Sequence, residues 1–168
     1  QHVPDEVWFV QHLPVYTLGY AGSEKNIINK KEIPIVRSDR GGQVTYHGPG
    51  QLVVYFLLNI KRLGWGPKKL IFYLEEIFIR LISQYNIKAK RKEGAPGIYV
   101  ADKKIASIGL KIKQGFSYHG VSLNVDMNLS PFDDINICGY KALEATQIND
   151  LASASIEQIK EDLKSLLE

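Results

Sequence analysis

The chain contains a single cysteine, Cys138, in the stretch DDINICGYK at 133–141. A thiol becomes a nucleophile when a neighbour takes its proton or balances its negative charge. A lysine partly withdrawn from water can do either, and Lys104 fits that pattern. In a regular strand KIASIGLKI, alternation points Lys104 the same way as Ala106, Ile108, Leu110 and Ile112, with Lys111 and Lys113 opposite. Burial on that apolar face disfavours the ammonium form. Neither residue alone specifies a reaction. A lysine at a strand end also snorkels to water, and a lone cysteine is commonly buried and inert. Cys138 lies in an irregular segment between Pro131 and Gly139, and loops carry catalytic groups more often than strand interiors do.

A second cluster is SDRGGQVTYHGPGQ, where Gly41, Gly42, Gly48 and Gly50 sit among polar residues, with Arg40 and His47 bracketing the core of the segment. Glycines let a backbone approach a ligand and present its N–H groups. No Gly-Lys-Ser/Thr follows, and G-x-G-x-x-G is absent, so this is neither a P-loop nor a dinucleotide fingerprint. A glycine-rich hairpin is the other reading. His2, His12, His47 and His119 show no ligand spacing and no second cysteine helps, so no metal site is expected. His119 alternates with Val121, Leu123 and Val125, which predicts that it faces inward.

The elements that must position these residues are readable from periodicity. VWFVQH, PVYTLG and IPIVRS read as short strands, and QLVVYFLLNI as a strand buried on both faces. GPKKLIFYLEEIFIRLISQYN predicts a helix with Pro67 in its first turn and a buried stripe of Leu70, Leu74, Ile77 and Leu81. GAPG breaks the chain, GIYV and KKIASIGLKIK form a hairpin, and YHGVSLNVDM is a further strand. Ser155 and Gln158 make a capping-box pattern before a final helix whose face is Ile156, Ile159, Leu163 and Leu166. This order predicts an α+β fold, a mixed β-sheet with packed helices in one domain spanning 1–168.

Charged residues make up 23% and hydrophobic ones 45%, so the chain can bury a core and is not a disordered one. No apolar run approaches the ~20 residues of a membrane span, and one cysteine cannot form an internal disulfide, so a cytoplasmic location and no membrane partner are expected. The chain opens at Gln1 rather than Met, which predicts that the native N-terminus is missing. A net charge of +3 is too small for a dedicated nucleic-acid binder. Lys88, Lys90, Arg91 and Lys92 cluster, followed by Lys103, Lys104, Lys111 and Lys113, which is either a solvated face or a docking surface for an acidic partner.

Taken together, SDRGGQVTYHGPGQLVVY, GAPGIYV, KKIASIGLKI, HGVSLNVDMNLSPFDDI and ICGY resemble the octanoyltransferases of lipoate synthesis, the lipoate-protein ligase B family, over about Asp5 to Asp150. The resemblance implies the fold of the biotin and lipoate ligase catalytic module. It implies transfer of an octanoyl group from octanoyl-acyl carrier protein to a lysine of lipoyl domains, in 2-oxoacid dehydrogenases and the glycine cleavage H protein. It further implies a thioester on Cys138, activation by Lys104, and neither ATP nor metal, the donor carrying its own phosphopantetheine. The implied acyl pocket comprises Arg40, Gly41, Gly42, Gln43, Val44, Thr45, Tyr46 and His47, then Ser107, Ile108 and Gly109, then Gly120, Val121 and Ser122. Supporting roles fall to His119 and Gly139, and a monomer is expected. The family commonly reads Pro-Cys-Gly, whereas Ile137 precedes Cys138 here, which frees φ at 137 and restores an N–H. An ATP-dependent lipoate or biotin ligase and a non-catalytic carrier-binding module stay open as other readings.

Overall fold

A computed structural model of the chain describes residues 4–168; His2 therefore lies outside the described residues. The larger sheet is antiparallel and runs β1 (Glu6–Val10), β5 (Gln51–Leu57), β8 (Phe116–Asn124), β7 (Lys103–Lys113), β6 (Ile98–Val100). The smaller runs β3 (Ile35–Arg37), β2 (Val15–Leu18), β4 (Val44–His47), with β2 parallel to β3 and antiparallel to β4. Two helices, α1 (Pro67–Ser83) and α2 (Ile156–Leu167), pack on one face of the larger sheet. The architecture is α+β, as the order of elements predicts.

The continuous apolar run of β5 has a simple cause. Leu52, Val54 and Phe56 enter the large core under the helices, while Val53 and Tyr55 point to the opposite face, which the smaller sheet covers. Both faces are thus shielded, and every position favours a non-polar side chain. On α1, Leu70, Leu74, Phe78, Leu81 and Ile82 are buried. Phe78 rather than Ile77 completes the stripe, because it continues the i+4 row from Leu70 and Leu74; Ile77 sits at its partly buried edge. Ser155 caps α2, its Oγ accepting from the Gln158 N–H at 3.1 Å. The Gln158 side chain donates to Asp162 at 2.8 Å, so only half of the predicted capping box is present.

A second core joins Tyr16, Leu18, Val44 and Tyr46 of the smaller sheet to Met127, Phe132, Ile135 and Ile137 of the irregular chain after β8. Strand β4 is the element the sequence hides. Its four residues are all buried, but flanking glycines disguise them as loop. No helix among the described residues is long and apolar enough to cross a membrane.

Candidate active site

Lys104 and Cys138 meet. The Lys104 Nζ donates to the Cys138 Sγ at 2.8 Å and to the Pro96 carbonyl at 3.1 Å, and lies 5.5 Å from the centre of the Tyr99 ring. Carbonyl, sulphur and π-face together suit an ammonium group withdrawn from water. Lys104 is only 3% exposed. Burial is as the strand pattern predicts, but the route to it differs. Ile98 pairs with Ala106 and Tyr99 with Lys104, so Ile105 is an extra residue in β7. This β-bulge breaks the alternation. Ile105 and Ala106 both enter the large core, and Lys104 turns to Cys138 instead of sharing the face of Ala106.

The bed for the lysine is built by GAPG. Gly97 has φ 135°, and a Cβ there would stand 2.6 Å from the Lys104 Cε, so only glycine fits. Its N–H donates to Glu75 Oε1 at 3.1 Å, and Glu75 also pairs with Arg91 Nε at 3.2 Å. A buried carboxylate on α1 thereby fixes the segment whose carbonyl holds Lys104. Nothing in the pattern of α1 singles out Glu75 except its acidic character on the buried side of the helix.

Cys138 is held in the left-handed region, φ 54° and ψ 23°, followed by Gly139 at φ 76°. The turn is secured by N–H bonds from Gly139 to Asn136 O at 2.8 Å and from Tyr140 to Ile137 O at 3.0 Å. Ile137, which stands where the family commonly has proline, is 1% exposed in the second core. Packing thus anchors the loop where a proline ring would have stiffened it.

A polar network braces the floor. Arg40 donates from Nη2 to Thr17 O at 2.7 Å and Gln43 O at 2.9 Å, and from Nη1 to Gly41 O at 2.9 Å. It therefore clamps the glycine-rich segment onto β2. Gln51 Nε2 donates to Tyr46 O at 3.1 Å and Asn124 Oδ1 at 2.9 Å, so its Oε1 must accept from His47 Nδ1 at 2.7 Å. His47 Nε2 is then left to accept from Thr17 Oγ1 at 3.3 Å. Asn124 Nδ2 donates to Thr146 O at 3.0 Å, and the Thr146 N–H to Lys104 O at 3.0 Å. Burial lowers the His47 pKa to about 4, with Arg40 adding to the effect, so the imidazole is neutral. Burial also lowers the Arg40 pKa to about 10, while negative charge on Cys138 opposes that shift. The guanidinium remains charged, within electrostatic reach of the sulphur.

Two cavities meet at Cys138. The first, about 570 Å³, lies between the two sheets, and the second holds about 500 Å³. Of the residues the sequence singles out, Arg40, Gly42, Gln43, Val44, Thr45, His47, Ser107, Ile108, Gly109, His119, Gly120, Val121 and Ser122 line the first. Gly41 lines only the second. Tyr46 lines neither; its ring packs edge-on to Phe132 in the second core, 5.6 Å between centres. Gly139 lies against Gln43. The first cavity also takes in His12, Thr17, Asp39, Val53 and Tyr55, which the sequence reading missed. Alternation along β5 gives the last two, since they oppose Leu52, Val54 and Phe56.

One expectation is corrected. His119 does not join the apolar face of Val121, Leu123 and Val125. Its φ is 62°, which breaks the alternation, and its ring sits beside Tyr55 with Nε2 at 2.7 Å from Asp39 Oδ1. The basic run is also less free than its composition suggests. Arg91 is committed to Glu75 and Glu76, Lys90 to Asp102 at 2.9 Å, and Lys103 to Glu144. Among the described residues no group of three or more His, Cys, Asp or Glu is placed to hold a metal ion.

Among solved structures, the fold is similar to a bipartite lipoate protein ligase from Thermoplasma acidophilum, with a TM-score of 0.75, 15% identity, and 97% of this chain and 69% of that one covered. It is also similar to a biotin protein ligase from Aquifex aeolicus, with a TM-score of 0.56, 14% identity, and 94% and 68% covered. At such identities the likeness fixes the fold class, that of the lipoate and biotin ligase catalytic domains. In sequence, the octanoyltransferase of Vibrio atlanticus is 49% identical over 95% of this chain and 73% of its own length. That of Dechloromonas aromatica is 55% identical over 88% and 72%. A family profile described as the lipoyl protein ligase A/B catalytic domain matches residues 1–168, and the chain belongs to that family, on its octanoyltransferase branch. It is accordingly an acyltransferase.

Proposed function

We propose that this chain moves an octanoyl group from octanoyl-acyl carrier protein to the lysine of a lipoyl domain through a thioester on Cys138, with Lys104 as acid and base. The observation that carries the reading is the 2.8 Å contact between the buried Lys104 amine and the Cys138 sulphur where two cavities meet.

In the first half-reaction the Cys138 thiolate attacks the thioester carbonyl. A new carbon–sulphur bond forms, the bond to the carrier's pantetheine breaks, and the departing sulphur takes a proton from Lys104. In the second, a neutral lysine amine attacks the acyl-enzyme. The amide bond forms, the Cys138 thiolate leaves, and Lys104 takes the amine's proton, which restores the starting pair. No nucleotide or metal enters either step. The N–H groups of Gly139 and Tyr140 are already bonded within the turn, and the backbone of Gly42 and Gln43, which lines both cavities together with Cys138, offers donors for the oxyanion. The alkyl chain lies in the first cavity, where each buried CH₂ contributes roughly 0.8 kcal/mol.

Mass spectrometry of the intact protein after mixing with octanoyl carrier protein, without ATP, tests this. Wild type is expected to gain an octanoyl mass that hydroxylamine removes, and Cys138→Ser to lack it or to hold it resistant to hydroxylamine. No adduct, together with ATP–pyrophosphate exchange on adding octanoate, would move the chain to the ligase mechanism.

A further inference from the structure

The second cavity is unused by the acyl chain, yet Cys138 lines it. The tetrahedral intermediate carries four substituents on one carbon: the Cys138 sulphur, the oxyanion, the alkyl chain and the departing or arriving group. With the alkyl chain in the first cavity, the fourth substituent needs its own path from the same sulphur. We infer that the second cavity receives the pantetheine arm of the acyl donor and then, in turn, the side chain of the acceptor lysine. This rests on the acyl-enzyme reading above.

The walls suit such an occupant. Ile71 on α1 is a partly exposed apolar residue that belongs to neither core cluster and lines this cavity. Leu110 and Ile112 face it from β7. These surfaces match a slender arm with a branched hydrocarbon segment. At the rim stands Lys111, its Nζ 5.6 Å from the centre of the Tyr20 ring. Gly94–Pro96, also in its lining, follow Glu93, and the basic run that includes Lys88 and Lys92 lies just before it. Asp39 also lines the cavity, but its carboxylate is bonded to His119 and Tyr118, and the cations near the mouth fit the phosphodiester that ends the arm and the acidic carrier behind it. Sharing one cavity between two arms in succession also accounts for a single lysine serving both half-reactions.

The test compares acylation of Cys138 by octanoyl-pantetheine and by the octanoyl thioester of 2-mercaptoethanol. In wild type the pantetheine donor is expected to have the higher kcat/KM, by about tenfold or more, since remote contacts lower the barrier. Ile71→Trp fills the cavity and is expected to bring the two donors to within about threefold of each other, with hexanoyl, octanoyl and decanoyl donors keeping their order. An undiminished pantetheine advantage overturns the inference. So does a changed chain-length order at an undiminished advantage, which would put the acyl chain here instead. Should Ile71→Trp fail to fold, Lys111→Glu serves: it is expected to lower kcat/KM for the phosphopantetheine donor more than for the pantetheine donor, and equal effects overturn the proposal. If wild type forms no Cys138 adduct with either donor, the acyl-enzyme reading itself fails and this inference with it.

Discussion

The Lys104 Nζ lies 2.8 Å from the Cys138 Sγ across 34 residues of sequence. Two local departures from regular backbone create that contact, the extra residue Ile105 in β7 and the left-handed conformation of Cys138. Lys104→Met keeps the length of the side chain but removes charge and proton. Acyl transfer is expected to fall by about 10²–10⁴, the usual contribution of a general acid–base group. Alkylation of Cys138 by iodoacetamide at neutral pH should slow in parallel. Unaltered transfer kinetics in this variant would remove Lys104 from the mechanism.

The φ of 54° at Cys138 stores strain in the residue itself. A non-glycine residue in this region costs roughly 1–2 kcal/mol. Cys138→Gly is therefore expected to be more stable than Cys138→Ala by about 1 kcal/mol, although both lack the thiol. Urea unfolding of the two variants checks this. Equal stabilities would mean that the turn relaxes once the sulphur is gone.

How much of this was legible follows from which residues obey regular periodicity. The antiparallel hairpin of β6 and β7, the double-sided burial of β5 and both helices are visible in the spacing of apolar residues. The burial of Lys104 is visible too, but for a reason the pattern does not contain, since alternation assumes that no residue is skipped. His119 fails for the same cause at φ 62°. Bulges and positive φ at non-glycine residues leave no periodic trace, and both cluster around the site. Strand β4 was hidden by its glycines, and Tyr46 turns with Val44 into the second core by simple alternation against Thr45 and His47. Glu75 and Asp39 act through partners distant in sequence, which only the folded chain brings together.

The far wall of the first cavity predicts acyl-length control. Cys138 sits by the start of β7, while Tyr55 is on β5, two strands across the sheet, about 10 Å at the usual spacing. An extended eight-carbon chain has a comparable reach. There Tyr55 and His12 share a hydrogen bond of 2.6 Å, and burial lowers the His12 pKa, which favours its neutral, less hydrated form. His12→Ala removes part of that wall. The preferred acyl donor is expected to lengthen from octanoyl towards decanoyl, with each formerly excluded methylene gaining about 1–3 kcal/mol in relative kcat/KM. Competition between paired donors, read by mass spectrometry, measures the shift. A preference that stays at octanoyl would move the end of the cavity elsewhere.

His47 gives a prediction for stability rather than rate. Its imidazole is buried in the Thr17–His47–Gln51 network, with a pKa of about 4 against 6.5 in an unfolded chain. Above pH 6.5 both states are neutral at this residue, so it contributes no pH dependence. Between pH 6.5 and 4 the unfolded chain takes up a proton that the fold refuses, and stability falls with pH, by about 3 kcal/mol from this residue alone. His47→Gln cannot titrate. At pH 7.5 it is expected to be less stable than wild type, having lost the fitted hydrogen bonds. That gap should shrink as pH is lowered from 6.5 to 4, as followed by urea unfolding at each pH. A gap that stays constant would mean that the imidazole takes a proton inside the fold, and that the network around Gln51 rearranges to accept it.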